Sequence, residues 1–211
     1  MTLPWLILIG SALALLVPLP AFYRRKRSYR DLHQLEIERR NGSRWVMLKQ
    51  VLRFSGHWID LARGLLGSIG VLLTIDQLAT VSPLYATHAA WARFVLPLTL
   101  ATICVILIAF VFHYPGKSLA PIPFVAGTLL VLVPLVVAIP ALFLGLVCAA
   151  KLRALSLFFV LVAPTLVVLG FLLDRHPWPA IAGAVLTATP IALAFARRRQ
   201  LVIPVRRLRS S

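Results

Sequence analysis

The sequence is short of acidic residues. Its 211 residues contain six Asp and Glu against 22 Lys and Arg, which gives a formal net charge of +16. Only 13% of the residues are charged and 60% are hydrophobic, whereas a soluble domain has about 25% charged and about 45–50% apolar residues. A soluble fold of this size could not bury so much apolar surface. The composition therefore predicts an integral membrane protein.

Cysteine and the common catalytic motifs are also scarce. Cys104 and Cys148 lie in apolar runs, and their spacing supports neither a disulfide nor a metal site. The five histidines form no H-E-x-x-H or related metal motif. A nucleophile elbow, a phosphate-binding loop and paired carboxylates are missing too. We expect no metal and no cofactor, and the sequence favours a protein that is not an enzyme.

Five apolar segments are long enough to span a bilayer, which takes about 20 residues. They are Leu3–Tyr23, Phe94–Phe112, Pro121–Ala149, Ala154–Leu173 and Trp178–Ala196. The predicted fold class is an all-α polytopic membrane helix bundle with five spanning helices, or alternatively six, plus a cytoplasmic interfacial amphipathic region. The predicted units are an anchor (1–23), a basic loop (24–63), a re-entrant or interfacial segment (64–90), a four-helix transmembrane bundle (91–196) and a basic cytoplasmic tail (197–211).

The last four of these segments contain no Asp, Glu, Lys, Arg or His. A proton- or sodium-coupled carrier ordinarily needs an ionisable group near the middle of the membrane. The polar groups there are mainly hydroxyls, which we expect to bond back to their own helices. They are Thr99, Thr102, Thr128, Ser156, Thr165, Thr187 and Thr189.

Whether the stretch GLLGSIGVLLTIDQLA, residues 64–79, crosses the bilayer decides the span number. Eleven basic residues lie between Arg24 and Arg63, and six between Arg197 and Arg209. Basic residues collect on the cytoplasmic side. With five spans, 20 of the 22 basic residues are cytoplasmic; with six, 13 are. The count favours five spans in the cell (inner) membrane, with the N-terminus outside and the C-terminus cytoplasmic.

The glycines of this stretch, Gly64, Gly67 and Gly70, share one helical face with Thr74. Small residues on one face indicate close helix packing in a membrane. Asp76 falls on the opposite side, and it becomes a functional candidate only if the stretch crosses.

The basic loop predicts two short helices. SYRDLHQLEIERR and RWVMLKQVLRF are separated by the turn signal Asn41-Gly42. The second is basic and amphipathic, as expected for a helix in the head-group layer; a solvated hairpin on a partner is the alternative. We expect contacts with anionic lipid head groups and other membrane subunits, and no nucleic acid. The predicted head-group contacts are Arg24, Arg25, Lys26, Arg27, Lys49 and Arg53.

A possible functional polar cluster consists of His57, Asp60 and Arg63, with Asp76 further along. The first three lie at helical spacing on roughly one face and could grip a polar head group. The simpler interpretation is a surface ion pair between Asp60 and Arg63, worth well under about 1 kcal/mol.

Three functions remain open on this sequence. The favoured one is a non-catalytic subunit, or an assembly or scaffold factor, of a membrane complex. The first alternative, based on the prolines inside the spans and on Asp76, is a channel, carrier or lipid flippase-like transporter. The second alternative is an interfacial lipid-modifying enzyme that uses the polar cluster.

Overall fold

The computed structural model describes residues 3–16, 27–30, 55–81, 89–111, 113–114, 117–152, 154–174, 177–198 and 201–206. Within these ranges the helices are α1 (Leu3–Leu16), α2 (Ser55–Val81), α3 (Ala89–Val111), α4 (Ile122–Leu132), α5 (Leu135–Leu152), α6 (Leu155–Leu173) and α7 (Trp178–Ala196). The strands are β1 (Arg27–Arg30), β2 (His113–Tyr114), β3 (Lys117–Leu119) and β4 (Leu201–Arg206).

The prediction of a helical membrane protein is supported in its coarse form. Three helices in the described ranges, α5, α6 and α7, are long and apolar enough to cross a membrane. Shorter apolar helical segments occupy 97–109 and 122–132. The exact count of five spanning helices is not confirmed. The bounds of α6 and α7 nevertheless agree with the fourth and fifth predicted segments to within one residue.

The third predicted segment, Pro121–Ala149, is two helices rather than one long span. Helix α4 ends at Leu132, and Val133 is extended, with φ −115° and ψ 141°. Pro134 explains the break, because a proline ring clashes with a helical residue before it and has no N–H to continue the ladder. The Pro134 carbonyl then accepts bonds from the amides of Val137 and Ala138, both at 2.9 Å, and so begins α5.

The predicted boundary between the basic loop and the re-entrant or interfacial segment, at Arg63 and Gly64, is wrong. Helix α2 is continuous from Ser55 to Val81 and takes up the end of the predicted basic loop. Its 27 residues span about 40 Å at 1.5 Å per residue, longer than the hydrocarbon core of about 30 Å.

The strands were not predicted. They form one four-stranded sheet in the order β1-β4-β3-β2, with β4 antiparallel to β1 and parallel to β3. The first predicted loop helix would start at Ser28, but residues 28–30 pair with β4 instead. Pairing with a strand 173 to 179 residues away overrides the local helical pattern, and a sequence window cannot detect such a distant partner. The second predicted loop helix, over 44–54, lies outside the described residues.

The sheet marks one end of the molecule, which we call the sheet side. Helix α3 ends two residues before β2, and β3 lies three residues before α4. Helix α7 leads into β4, whose Val202 carbonyl accepts a bond of 2.9 Å from the Ala120 amide. The C-termini of α3 and α7 and the N-terminus of α4 therefore lie on the sheet side.

The packed glycines give the directions of the remaining helices. A methyl group added at Gly183 of α7 would lie 2.8 Å from the Leu129 side chain, at the far end of α4. One at Gly170 would meet Ala180, and one at Gly145 would meet Val162. Each contact joins an early position on one helix to a late position on the other. Helices α4 and α7, α6 and α7, and α5 and α6 are thus antiparallel pairs, so α5 runs opposite to α4.

The core is formed by α3, α4, α5, α6 and α7, with contributions from Leu15 of α1 and Val71 of α2. Its largest fully buried side chains include Phe124, Phe158 and Phe159. The outward face of α5 carries exposed apolar side chains such as Phe143, which is 68% exposed. An apolar exterior of this kind agrees with lipid as the surrounding solvent.

Candidate functional site: a polar clasp on the first helix

Helix α2 packs lengthwise and antiparallel on α1. Arg63 contacts Ala14 and Leu15 near the end of α1. Further along α2, a methyl group added at Gly70 would overlap the Ser11 side chain and lie 3.8 Å from Ile7. Residue numbers fall along α1 as they rise along α2. The start of α2 therefore lies at the end of α1.

The predicted polar cluster lies at this start. Arg63 donates from Nε to the Ala14 carbonyl at 2.9 Å and from Nη2 to the Leu15 carbonyl at 2.5 Å. Its Nη1 donates to Oδ1 of Asp60 at 3.0 Å. We call these four residues the clasp.

The clasp satisfies the free carbonyl groups at the end of α1 and complements the dipole of this helix. The last four carbonyls of a helix have no partner within the helix, and they form the negative end of its dipole. Ala14 and Leu15 lie in the last turn of α1, which ends at Leu16. A guanidinium satisfies these carbonyls and complements the dipole, so Arg63 acts as a C-terminal cap donated by another helix.

Burial sets this ion pair apart from the surface pair that the sequence suggested. The side chains of Arg63 and Asp60 are 8% and 21% exposed. Of the Lys, Arg, Asp and Glu side chains that the structure describes, only that of Arg63 is buried. A buried guanidinium needs its charge and its N–H groups satisfied. Asp60 supplies the opposite charge, and α1 supplies the acceptors.

His57, the third member of the predicted cluster, is also on α2 and is 8% exposed. The structure thus buries two of the three residues and brings Asp60 and Arg63 into contact. Asp76 lies within α2, but its side chain is outside the described part of the structure. Arg27 is described only by its position in β1. The other predicted head-group contacts, Arg24, Arg25, Lys26, Lys49 and Arg53, lie outside the described residues.

Beside the clasp, α2 and α4 approach each other at the backbone. A methyl group added at Gly127 would overlap the Leu61 carbonyl oxygen and lie 2.9 Å from the Leu65 amide nitrogen. One at Gly64 would overlap the Phe124 carbonyl oxygen and lie 3.1 Å from the Thr128 amide nitrogen. The two glycines therefore let the backbones touch, as small residues do at membrane helix interfaces.

The predicted glycine face of α2 is confirmed as a packing face, but it serves two partners. Gly64 meets α4, whereas Gly67 and Gly70 meet Leu15 and Ser11 of α1. The sequence could not name Gly127 as the opposing residue. It is a lone glycine in an apolar run, and only the fold aligns it with Gly64.

The hydroxyls inside the helices largely bond to their own backbone, as predicted. Thr128 donates to the Phe124 carbonyl at 3.1 Å, and Thr187 donates to the Gly183 carbonyl at 3.0 Å. Thr102, Thr165 and Thr189 do the same over four residues. Ser68 is fully buried, and its Oγ has no hydrogen-bond partner among the described residues.

Metal chemistry has no support in the part of the chain that the structure describes. There, no three His, Cys, Asp or Glu side chains gather closely enough to hold an ion. Both cysteines are free thiols, with Cys104 buried. The arrangement at the clasp can cap a helix and neutralise a charge. Arginine remains protonated and has no acceptor atom, so Arg63 cannot act as a base.

Comparison with known protein families, with curated proteins and with solved structures finds no match.

Proposed function

We propose that this protein is a non-catalytic subunit, or an assembly or scaffold factor, of a complex in the cell (inner) membrane. The clasp carries the proposal. Each described bond of the buried Arg63 guanidinium goes to a group of the protein itself. The strongest polar feature of the described interior therefore holds helices together. The same contacts weaken the alternative of a lipid-modifying enzyme, since they engage two of its three candidate residues.

The proposal includes a topology with seven membrane-embedded helices. Their directions alternate from α1 to α7, with α4 a short member of about 16 Å. The N-terminus is outside, and the sheet side is cytoplasmic. By connectivity, 20 of the 22 basic residues then belong to the cytoplasmic side, and Arg93 and Arg175 to the outside. This bias supports the orientation, because basic residues collect in the cytoplasm.

The chain reverses direction at Pro134, between α4 and α5. Because of this reversal, α2 can cross the membrane while most basic residues stay on the cytoplasmic side. If α2 crosses and 121–149 is a single span, the basic tail moves outside. If 121–149 makes two passes, the tail returns to the cytoplasm. The seven-helix topology thus keeps the orientation predicted from the sequence, although it replaces the predicted five spans.

Cysteine accessibility at two positions separates the three topologies. Leu84→Cys and Lys151→Cys would be made in a Cys104→Ala, Cys148→Ala background and labelled with a membrane-impermeant maleimide. Seven helices predict labelling at 84 from outside and at 151 only after permeabilisation. Six spans predict external labelling at both positions, and five spans predict it at neither.

The subunit role is tested by native mass spectrometry after mild detergent extraction from the native membrane. We expect the protein to leave the membrane with at least one larger protein partner. The Arg63→Met variant, with its clasp removed, should retain less of that partner than a Lys151→Gln control. A lone, stable monomer under all extraction conditions would contradict the proposal.

A further inference from the structure

Ser68 of α2 is a buried polar group whose hydrogen bonding is incomplete. Its side chain is 0% exposed, and its Oγ has no hydrogen-bond partner in the described parts of the chain. The buried hydroxyls of Thr74, Thr128 and Thr187 all donate to a carbonyl one turn earlier in their own helix. Burying a hydroxyl without a partner is costly, so such a group indicates a bound water molecule or ion.

Helical spacing places Ser68 on the face of α2 that packs on α4. A methyl group added at Gly127 of α4 would meet the backbone of Leu61 and Leu65. Ser68 lies seven residues after Leu61 and three after Leu65, which is the spacing of one helical face. Gly64, one turn before Ser68, contacts α4 as well. The Ser68 side chain therefore faces α4.

Helices α2 and α4 run in the same direction. Helix α3 ends on the sheet side, and its 23 residues place its N-terminus about 34 Å away at 1.5 Å per residue. The chain takes eight residue steps from Val81, the end of α2, to Ala89, the start of α3, and these steps reach at most about 29 Å. The end of α2 therefore lies away from the sheet side. The end of α4 does too, because α4 begins on the sheet side.

Ser68 lies at the level of the last turn of α4. It follows Gly64 by four residues, and Val131 follows Gly127 by four, so both positions are equally far beyond the contact of the two glycines. Helix α4 ends one residue later, at Leu132, which is 6% exposed. The Ser68 side chain is therefore buried beside the end of α4.

The last turn of α4 has carbonyl groups that the helix does not satisfy. Pro134 has no N–H, so the carbonyl of Leu130 loses its usual partner four residues further on. In the chain that the structure describes, no backbone amide bonds to the carbonyl of Val131 either. The carbonyl oxygen of Phe124 lies against Gly64 of α2, and positions seven residues apart share a helical face. The Val131 carbonyl is therefore on the α2 side.

We propose that a buried water molecule links the Ser68 hydroxyl to the free carbonyls at the end of α4. Water can accept from Ser68 and donate to Val131 and Leu130, which gives the three bonds typical of a buried water. Neither α4 nor residues 64–75 of α2 contain a charged residue, so the site offers no carboxylate for a hard cation. The water caps α4 as Arg63 caps α1, and α2 thus holds the ends of both helices. The site does not depend on the proposed subunit role.

Thermal unfolding of the intact protein in detergent tests the site by the sign of one change. With the water bound, Ser68→Ala leaves the water and the carbonyls short of a partner, and the Tm should fall by about 2–4 °C, the effect of one lost hydrogen bond. With an unpaired hydroxyl, the same variant removes a buried unsatisfied group, and the Tm should rise. A rise or an unchanged Tm would overturn the proposal.

Thr187→Val is the matched control, because the hydroxyl of Thr187 is equally buried but bonds within its own helix. It should change the Tm by less than about 1 °C. A fall as large as that of Ser68→Ala would show that loss of any buried hydroxyl has this effect, and the assignment to a water site would be lost.

A double-variant comparison tests the link between Ser68 and the end of α4. Pro134→Ala supplies an amide that can bond to the Leu130 carbonyl, so the helix end needs the water less. In this background, Ser68→Ala should lower the Tm by less than half as much as it does in the wild type. An equal fall in both backgrounds would overturn the link to α4.

Two further measurements identify the bound species. A high-resolution structure of the intact protein should show one peak about 2.8 Å from both Ser68 Oγ and the Val131 carbonyl oxygen, and Ser68→Ala should lose it. Replacing sodium chloride with choline chloride should leave the Tm difference between the wild type and Ser68→Ala unchanged. A difference that disappears without sodium would identify a cation site and overturn the assignment of water.

Discussion

The junction of α1, α2 and α4 and the array of α5, α6 and α7 are held together by different means. In the junction, backbones touch at Gly64 and Gly127, and a buried guanidinium joins two helices. In the array, each helix packs on its neighbour in sequence, mainly through apolar side chains. The α5–α6 and α6–α7 connections are short, with two and four residues between the helices.

This difference has a physical reason. Short connections make antiparallel neighbours with little loss of entropy, so apolar packing with close contacts at Gly145 and Gly170 is sufficient to pair the array helices. Helix α1 is separated from α2 by 38 residues, and apolar surface gives no selective attraction between helices in lipid. Close backbone packing and a polar clasp provide that selectivity. Substitutions in both regions can break or sharpen the comparison.

The largest effect is expected for Arg63→Met. It leaves the carbonyls of Ala14 and Leu15 and the Asp60 carboxylate without their donor, a loss on the order of 3–5 kcal/mol for a buried pair. Thermal unfolding in detergent should show a large fall in Tm, and α1 should become accessible to protease. Lys151→Gln, at an exposed position, should change stability by less than about 0.5 kcal/mol. Equal stability of the two variants would show that the clasp does not hold α1.

Gly127→Ala should have the second-largest effect, a loss of stability of roughly 1–3 kcal/mol from overpacking. The added methyl group meets the backbone of α2, which cannot move without separating the helices. At Gly183 of α7, it would meet the side chains of Leu129 and Val133 at 2.8 and 2.9 Å rather than backbone atoms, so the cost should be smaller.

Gly10→Ala is the open control, because nothing lies within 4 Å of its added methyl group. It should be neutral, or stabilise α1 by up to about 1 kcal/mol through higher helix propensity. Chemical denaturation of the three alanine variants gives the ranking. If Gly183→Ala costs more than Gly127→Ala, the distinction between backbone contact and side-chain contact is wrong.

Asp60→Asn should cost about 1 kcal/mol, less than the loss of Arg63. Arg63 keeps its two bonds to α1, and the amide oxygen of asparagine can still accept one. Asp60 is also 21% exposed, so water screens part of the pair. Unfolding of Asp60→Asn and Arg63→Met, measured in parallel, gives the ratio of their two losses of stability. A loss as large as that of Arg63→Met would mean that the ion pair, rather than the helix cap, carries the stability.

A small gain in stability is expected at the end of the array. Arg198 has φ 49° and follows the last turn of α7, a position that favours glycine. Arg198→Gly should therefore stabilise the protein by roughly 0.5 kcal/mol, or about 1–2 °C in Tm. Calorimetry measures this shift. A fall in Tm would mean that the Arg198 side chain contributes more than its backbone costs.

Most local features could be predicted because their causes are local. Lengths of apolar sequence identified α6 and α7 almost to the residue, and helical spacing identified the glycine face of α2. Hydroxyls such as Thr187 bond back to their own helix whatever lies around them. The candidate cluster was found by the same spacing argument, although its role was not.

The remaining features depend on partners that are distant in sequence. A single proline among several, Pro134, ends a helix, while Pro140, Pro164 and Pro190 lie within helices. Pattern alone does not separate these cases, because neighbouring helices can compensate for a proline. Likewise, Arg63 looked like a surface residue until the end of α1 was placed against it.

The sequence by itself determined that this chain is helical and apolar, and that its basic residues are concentrated between Arg24 and Arg63 and between Arg197 and Arg209. These properties follow from the solvation and backbone preferences of each segment. Only the tertiary structure decided that α1 is capped by Arg63, that α4 and α5 are separate helices, and that both ends of the chain meet in one sheet. Each of these depends on a contact between distant segments, which local sequence preferences do not encode.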